Sequence, residues 1–297
     1  MRKGLLFAMA VALCCGIALV VLKHSSSAAE LAATPVTHEA DELAADEFCG
    51  TKIDDAGRAE LAKTDAVRKW FVATQQPTPK SVVNVHFHII QDGDRGGMND
   101  ATLARQIDVL NDSYNLRGIS FALASIDRTD NSNWFSNCDA EGPAKRMKRA
   151  LRLGTATDLN VYTCEPTRFL GRASFPWLYQ KYPAEDGVIL HHGVLPGGSD
   201  PSFNTGEALV HETGHWMGLY HTLQGGCTGA GDEVEDTPAE ATFSFNACPL
   251  GLDTCPSPGL DPTDNFMDYS GDACWTSFTT GQNDRMASMF AVYRYGQ

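Results

Sequence analysis

The stretch Glu207-Ala-Leu-Val-His211-Glu212-Thr-Gly-His215-Trp-Met-Gly218-Leu-Tyr-His221 spaces three histidines, a glutamate and a glycine as a helix followed by a sharp turn would need them. Residues four apart share one helix face, so His211 and His215 can present two imidazoles to one ion, at about 2.0–2.1 Å if the ion is zinc. Glu212 is offset by roughly 100°, close enough to reach a water beside that ion without ligating it. A continued helix would carry residue 221 away. Gly218 avoids this, because a residue without Cβ takes the positive φ that ends a helix and turns the chain, so that His221 returns as third ligand. Three protein ligands with one position left for water describe an open, catalytic zinc site, whereas a structural site is closed by four. His-Glu-x-x-His alone also occurs on ordinary amphipathic helices; with x-x-Gly-x-x-His added, every extra residue has its own geometric task.

Outward from this segment the texture is regular on one side and irregular on the other. Residues 81–90 form a β-rich run, 99–114 an amphipathic helix through Leu103, Ile107 and Leu110, and 118–126 a strand. A basic-faced helix over 143–153 and strands over 158–162 and 187–191 follow, and strands alternating with helices predict an α/β layer with a mixed sheet. Beyond about His221 the chain turns loop-rich, with Gly, Pro and four cysteines crowded before Trp275. Two halves result, one regular to about residue 218 and one irregular and cross-linked.

The chain has 297 residues, with 23 Lys+Arg against 37 Asp+Glu and a pI near 5.0. No basic stripe is present, and nucleic-acid partners are excluded on that ground, since their affinity comes from clustered cations on phosphates. At the N-terminus Arg2 and Lys3 precede an apolar run over 4–22, and small polar residues follow Lys23 and His24. This is a secretory signal pattern, with Ser27 and Ala29 suiting a signal-peptidase site. The competing reading is an uncleaved anchor, because the run is nearly long enough to span a bilayer. Residues 1–29 are therefore read as signal peptide and the exported protein as acidic, extracellular and without stable membrane association. Residues 30–80 are polar, hold a short helix around 58–71, and end in Gln75-Gln76-Pro77-Thr78-Pro79-Lys80, a linker that makes them a pro-segment ahead of a catalytic domain over 81–297. Export makes the cysteines disulfide-competent, yet those beyond residue 29 (Cys49, Cys138, Cys164, Cys227, Cys248, Cys255 and Cys274) are odd in number.

The His-Glu-x-x-His-x-x-Gly-x-x-His segment resembles the metzincin signature, and 211–227 resembles the pappalysin family, especially its secreted microbial members. Asn265-Phe266-Met267-Asp268-Tyr269-Ser270 resembles the Met-turn of that group, and 231–238 and 273–282 are similar to it as well. The resemblance covers roughly 81–285. It implies a zinc-dependent endopeptidase of zincin fold, with a twisted mixed sheet and active-site helix in an upper subdomain (81–218) and an irregular, disulfide-stapled lower subdomain (219–297) carrying the Met-turn. Carried over, His211, His215 and His221 bind zinc, Glu212 is the general base, Met267 packs below the metal, and Tyr269 stabilises the tetrahedral intermediate. Four cysteines allow three connectivities that sequence alone cannot rank; the resemblance implies Cys227–Cys255 and Cys248–Cys274, which leaves Cys138 and Cys164 as a third pair. Phe48-Cys49-Gly50-Thr51 resembles the Cys-Gly-Thr near the start of secreted relatives, with Phe where a basic residue is expected, so Cys49 becomes a candidate zinc ligand in a latent form. The alternative class is a catalytically silent, secreted binding or adhesion module on a zincin scaffold, which has no use for Glu212 beside three ligands.

Weaker signals have bland readings. His86 and His88 share a strand face without a carboxylate or Cys nearby in sequence, and His191-His192 end a strand; neither pair is expected to ligate a metal. Asp232, Glu235, Asp236 and Thr237 crowd a Gly-rich loop, where Asp232, Asp236 and Thr237 offer hard oxygens suited to structural calcium, which the family uses there. Residues 145–149 read as the exposed face of a helix, and Asn111-Asp112-Ser113 is a formal glycosylation sequon.

Overall fold

Val83, Val85, Phe87 and Ile89 alternate along Ser81–Gln91 (β1) and are fully buried, so this strand lies inside a sheet and not at its rim. The computed structural model describes residues 48–52, scattered positions between 58 and 74, 81–114 and 118–297, all within one unit over 36–297. The leader, its cleavage point, the linker 75–80 and most of the helix expected around 58–71 lie outside the described residues. Ile119–Asp130 (β2), Leu159–Cys164 (β3), Gly171–Ala173 (β4) and Val188–His191 (β5) complete a sheet of order β2-β1-β3-β5-β4. All neighbours are parallel except β4, which runs antiparallel to β5 at one edge.

One face of this sheet packs Val83, Val85 and Phe87 with Leu103 and Ile107 of Asp100–Ser113 (α1) and with Leu209 and Val210 of Glu207–Trp216 (α4). Asn99 starts α1 by accepting a hydrogen bond from the Thr102 amide at 2.8 Å. The opposite face packs Ile90, Tyr162 and Ile189 with Phe135 of Ser132–Asn137 (α2) and Met147 of Glu141–Leu151 (α3). The anticipated boundaries shift by a few residues: β2 extends to Asp130, and α3 begins at Glu141 because Pro143 falls in its first turn, where no amide donor is needed. The 145–149 cluster is not all surface. Lys148 is buried and donates to the carbonyls of Glu185 and Gly187 at 3.1 and 2.9 Å, and burial pushes its ammonium down to about 7. Asn111 is also committed, its amide bonding Phe121 N–H and C=O across to β2 at 2.9 and 3.0 Å. Among the described residues no helix is long and apolar enough to cross a membrane.

The irregular half contains a helix that the sequence reading lacks, Thr280–Tyr293 (α5), started by Thr279 and Gln282 in a reciprocal cap. It clamps the end of α4. Arg285 donates to Gly218 O at 2.9 Å, and Arg294 donates to Trp216 O at 2.8 and 3.0 Å. Arg294 is fully buried, stacks 3.5 Å over the Trp216 ring and pairs with the equally buried Asp186 at 3.1 Å. Asp186 also accepts from the Trp216 indole at 3.1 Å. Arg294→Ala strands the Asp186 carboxylate in the interior, and urea unfolding of the full chain should show a loss of about 3–5 kcal/mol. A loss below about 1 kcal/mol would mean that the clamp is dispensable.

Candidate metal centre

Helix α4 presents His211 and His215 one turn apart, and Gly218, at φ 98°, reverses the chain. A Cβ there would meet Met289 Cγ at 2.7 Å, so glycine is required both by conformation and by the α5 contact. The turn brings back His221, whose Nε2 lies 2.8 Å from that of His215, while His211 Nε2 lies 3.2 Å from it. Backbone carbonyls set the ring orientations: His211 Nδ1 donates to Phe266 O at 2.7 Å and His215 Nδ1 to Leu219 O at 2.8 Å. Burial lowers the pKa of all three imidazoles, that of His215 to about 4, and keeps them neutral. With the Nδ1 protons engaged outward, the unprotonated Nε2 atoms of His211 and His215 face one another. Such lone pairs repel unless a cation lies among them, and three converging imidazoles, two of them with the other ring nitrogen fixed by a carbonyl, are the donor set zinc favours.

Cys49 completes the cluster. Its Sγ lies 3.5 Å from His215 Nε2, and one ligand atom from each of Cys49, His211, His215 and His221 falls within 4.8 Å of the others. Burial first, then the neighbouring Glu212 carboxylate, pushes the thiol pKa up. The segment reaches the site along β4: Leu170 N–H donates to Phe48 O at 2.9 Å and Gly50 N–H to Gly171 O at 2.8 Å, in parallel pairing. Thr51 lies in the same tripeptide and was not singled out from sequence. Its hydroxyl donates to Glu212 Oε2 at 3.0 Å and accepts from Ala173 N–H at 2.8 Å.

Glu212 is 2% exposed, and burial pushes its carboxyl up to about 7. Gly171 gives it room, since a Cβ on Gly171 would sit 2.5 Å from Glu212 Cγ. Met267 is fully buried beneath the helix, its Sδ occupying the space where a Cβ on Gly214 would stand, 2.5 Å away. Tyr269 places its hydroxyl 2.9 Å from His221 Nε2.

The structure bonds Cys138 to Cys164, Cys227 to Cys255 and Cys248 to Cys274. Of the calcium candidates, Asp232 has the Thr237 side chain and the Asp236 carboxylate for neighbours. Asp236 accepts from Thr279 Oγ1 at 2.7 Å and Gly281 N–H at 2.9 Å, capping α5, whereas Asp232 and Thr237 line a cavity of about 170 Å³. His86 bonds Ser125, His88 is buried between Asp127 and Asn160, and His191 accepts from Gly193 N–H; none joins the cluster.

Comparison with known proteins agrees with this geometry. Residues 169–291 match the family model Peptidase_M43, described as pregnancy-associated plasma protein-A. An extracellular metalloprotease of Pyricularia oryzae is 43% identical over 244 residues, 80% of this chain and 84% of that protein. A Tannerella forsythia promirolysin mutant superposes with TM-score 0.67 at 25% identity, covering 84% of this chain and 95% of its own. Mature mirolysin from the same organism, in complex with a cleaved peptide, gives TM-score 0.63 at 28% identity over 72% of this chain and 93% of its own.

Proposed function

The chain belongs to the pappalysin family of metalloproteases and is a zinc metalloprotease, and from that premise we propose that it is an exported endopeptidase made as a latent precursor, with Cys49 closing the site. The observation that carries this reading is the convergence of His211, His215, His221 and the Cys49 thiol beside a buried Glu212. His211, His215 and His221 would hold the metal. Zinc, when bound, would supply a Lewis acid that acidifies water and polarises a peptide carbonyl. Glu212 would accept a proton from the attacking water on one Oε and pass it to the departing amine. Tyr269, held beside His221, would donate a hydrogen bond to the oxyanion formed from the scissile carbonyl. Residues of β4 unpaired once the segment leaves would align the substrate backbone by strand addition.

Latency in this reading has two contacts. A thiolate ligand in the fourth position excludes the nucleophilic water, and the Thr51 hydroxyl occupies the carboxylate that must accept its proton. Export is supported by the extracellular designation of the relatives and by the leader pattern in 1–29. Calcium belongs to the proposal too, with the Asp232 carboxylate and the Thr237 hydroxyl side by side at the cavity wall.

Zinc content and peptide hydrolysis test the whole reading. The protein should carry one zinc per chain, lose hydrolysis of a degenerate peptide library on chelation, and regain it with stoichiometric zinc. A protein that binds zinc yet cleaves no peptide after removal of the segment upstream of residue 81 would return the balance to a silent scaffold.

A further inference from the structure

We infer that the cavity between α3 and the end of β4 is a carboxylate-binding exosite, and that the matured protease favours peptides with an Asp or Glu side chain two to four residues from the scissile bond. The inference rests on the peptidase reading above and adds to it a recognition element away from the metal.

The cavity measures about 230 Å³ and is walled by Lys145 and Lys148 of α3, Arg172 and Ala173 of β4, and Tyr179 and Tyr182 beyond it. Tyr182 is exposed and Lys148 is buried, so the cavity leads from the surface inward to an ammonium. Its acids are already spoken for. Glu141 pairs with Lys145 at 2.6 Å, Glu185 with Arg149 and, at 3.7 Å, with Lys145, and Asp186 with the buried Arg294 at 3.1 Å. Lys148 and Arg172 are left without a carboxylate partner among the described residues.

Both cations also have donors to spare. An ammonium carries three N–H groups, and Lys148 spends two on the carbonyls of Glu185 and Gly187. A guanidinium carries five, and Arg172 makes one long contact to Asp139 O at 3.4 Å while lying 4.8 Å over the Phe169 ring. Burial first, and the Arg172 guanidinium second, lower the Lys148 pKa, so two like charges share one partly dry cavity. A carboxylate between them relieves that repulsion, and the fork of a guanidinium matches its two oxygens. The tyrosine rings leave room for the short methylene stem of Asp or Glu, which a free inorganic anion lacks.

The backbone sets the distance from the chemistry. Cys49, which faces the histidines, pairs with Gly171, and two residues further along β4 the Ala173 N–H donates to the Thr51 hydroxyl. At about 3.3 Å per residue, the cavity begins roughly 7–10 Å along the strand from the metal ligands. Gly171 is turned towards Glu212, so alternation directs Arg172 to the other face of the sheet, where α3 packs. A peptide added to this edge with its reacting carbonyl where Cys49 now lies therefore reaches the cavity with a side chain two to four residues away.

The test uses the full chain, expressed as precursor and matured by limited proteolysis. It is read on one cleavable peptide in which Glu, Gln or Lys replaces, in turn, each residue from two to four on either side of the scissile bond. At one position kcat/KM for Glu should exceed that for Gln by about tenfold, the worth of one hydrogen bond between charged groups, and Lys should be poorer still. Arg172→Gln and Lys148→Met should each bring the Glu-to-Gln ratio towards one, and Arg172→Glu should turn the preference to Lys. Each ratio is taken within one enzyme, so a general loss of activity or of folded protein does not move it. Equal rates for Glu and Gln at every position, or a Glu preference that survives Arg172→Gln, overturns the inference while leaving a working peptidase. Absence of cleavage of every peptide by the matured wild type, by contrast, overturns the peptidase reading and takes the inference with it.

Discussion

Glu212→Ala should retain one zinc per chain and hydrolyse peptides about 10²–10⁴-fold more slowly than the matured wild type, the range that positioned acid–base groups contribute. The substitution removes the carboxylate beside the histidine cluster and leaves the three imidazoles, with the carbonyl anchors of His211 and His215, untouched. Zinc stoichiometry therefore separates loss of the proton carrier from loss of the metal. Retention of more than about a hundredth of wild-type kcat would remove Glu212 from the proposed role. In the precursor the same substitution frees Thr51 from its partner, so the leader segment should also become more susceptible to proteolysis.

The second large effect is expected in the uncleaved chain. Wild-type precursor should be silent, and Cys49→Ser should raise its hydrolytic rate by on the order of a hundredfold, the change that accompanies a move from about 1% open molecules to mostly open ones. A hydroxyl is a poor replacement for a thiolate at zinc, but the β4 pairing of residues 48–50 and the Thr51 bond to Glu212 remain. Cys49→Ser combined with Thr51→Val should accordingly exceed Cys49→Ser alone. The measurement is hydrolysis of a short peptide by precursor verified as full-length before and after the assay. If the intact wild-type precursor already matched the trimmed form, with Cys49 freely alkylated while zinc stayed bound, the latch would not exist.

What could be seen in the linear chain and what could not divides along sequence separation. The His211–His221 geometry is legible because a helix and a glycine turn are local devices with fixed spacing. Strands β1, β2, β3 and β5 are legible because alternation or continuous apolarity marks them. Strand β4 spans Gly171–Ala173 only, too short for any period, yet it is the edge to which residues 48–50 dock. Helix α5 escapes notice because charges interrupt its inward side: Arg285, and Arg294 just past its end, are buried and turned onto the carbonyls of Gly218 and Trp216. Lys148 misleads in the same way. Thr51 acquires its meaning only through Glu212, 161 residues further along the chain, and no local pattern announces such a partner.

The Arg294 clamp also orders events in time. Trp216 closes the helix that bears His211 and His215, and its carbonyl and ring are satisfied by a side chain 78 residues later. At about 5–20 residues per second, that stretch takes several seconds to synthesise. During this interval the sheet can form and residues 48–51 can already lie along its edge, while the end of the catalytic helix still lacks its anchor. On the latency proposed above, the segment carrying Cys49, placed early in the chain, can therefore be seated before the centre it would cover is mechanically complete. If the segment closes the site as proposed, a nascent molecule then has no moment at which a finished catalytic centre stands open to the cell that makes it.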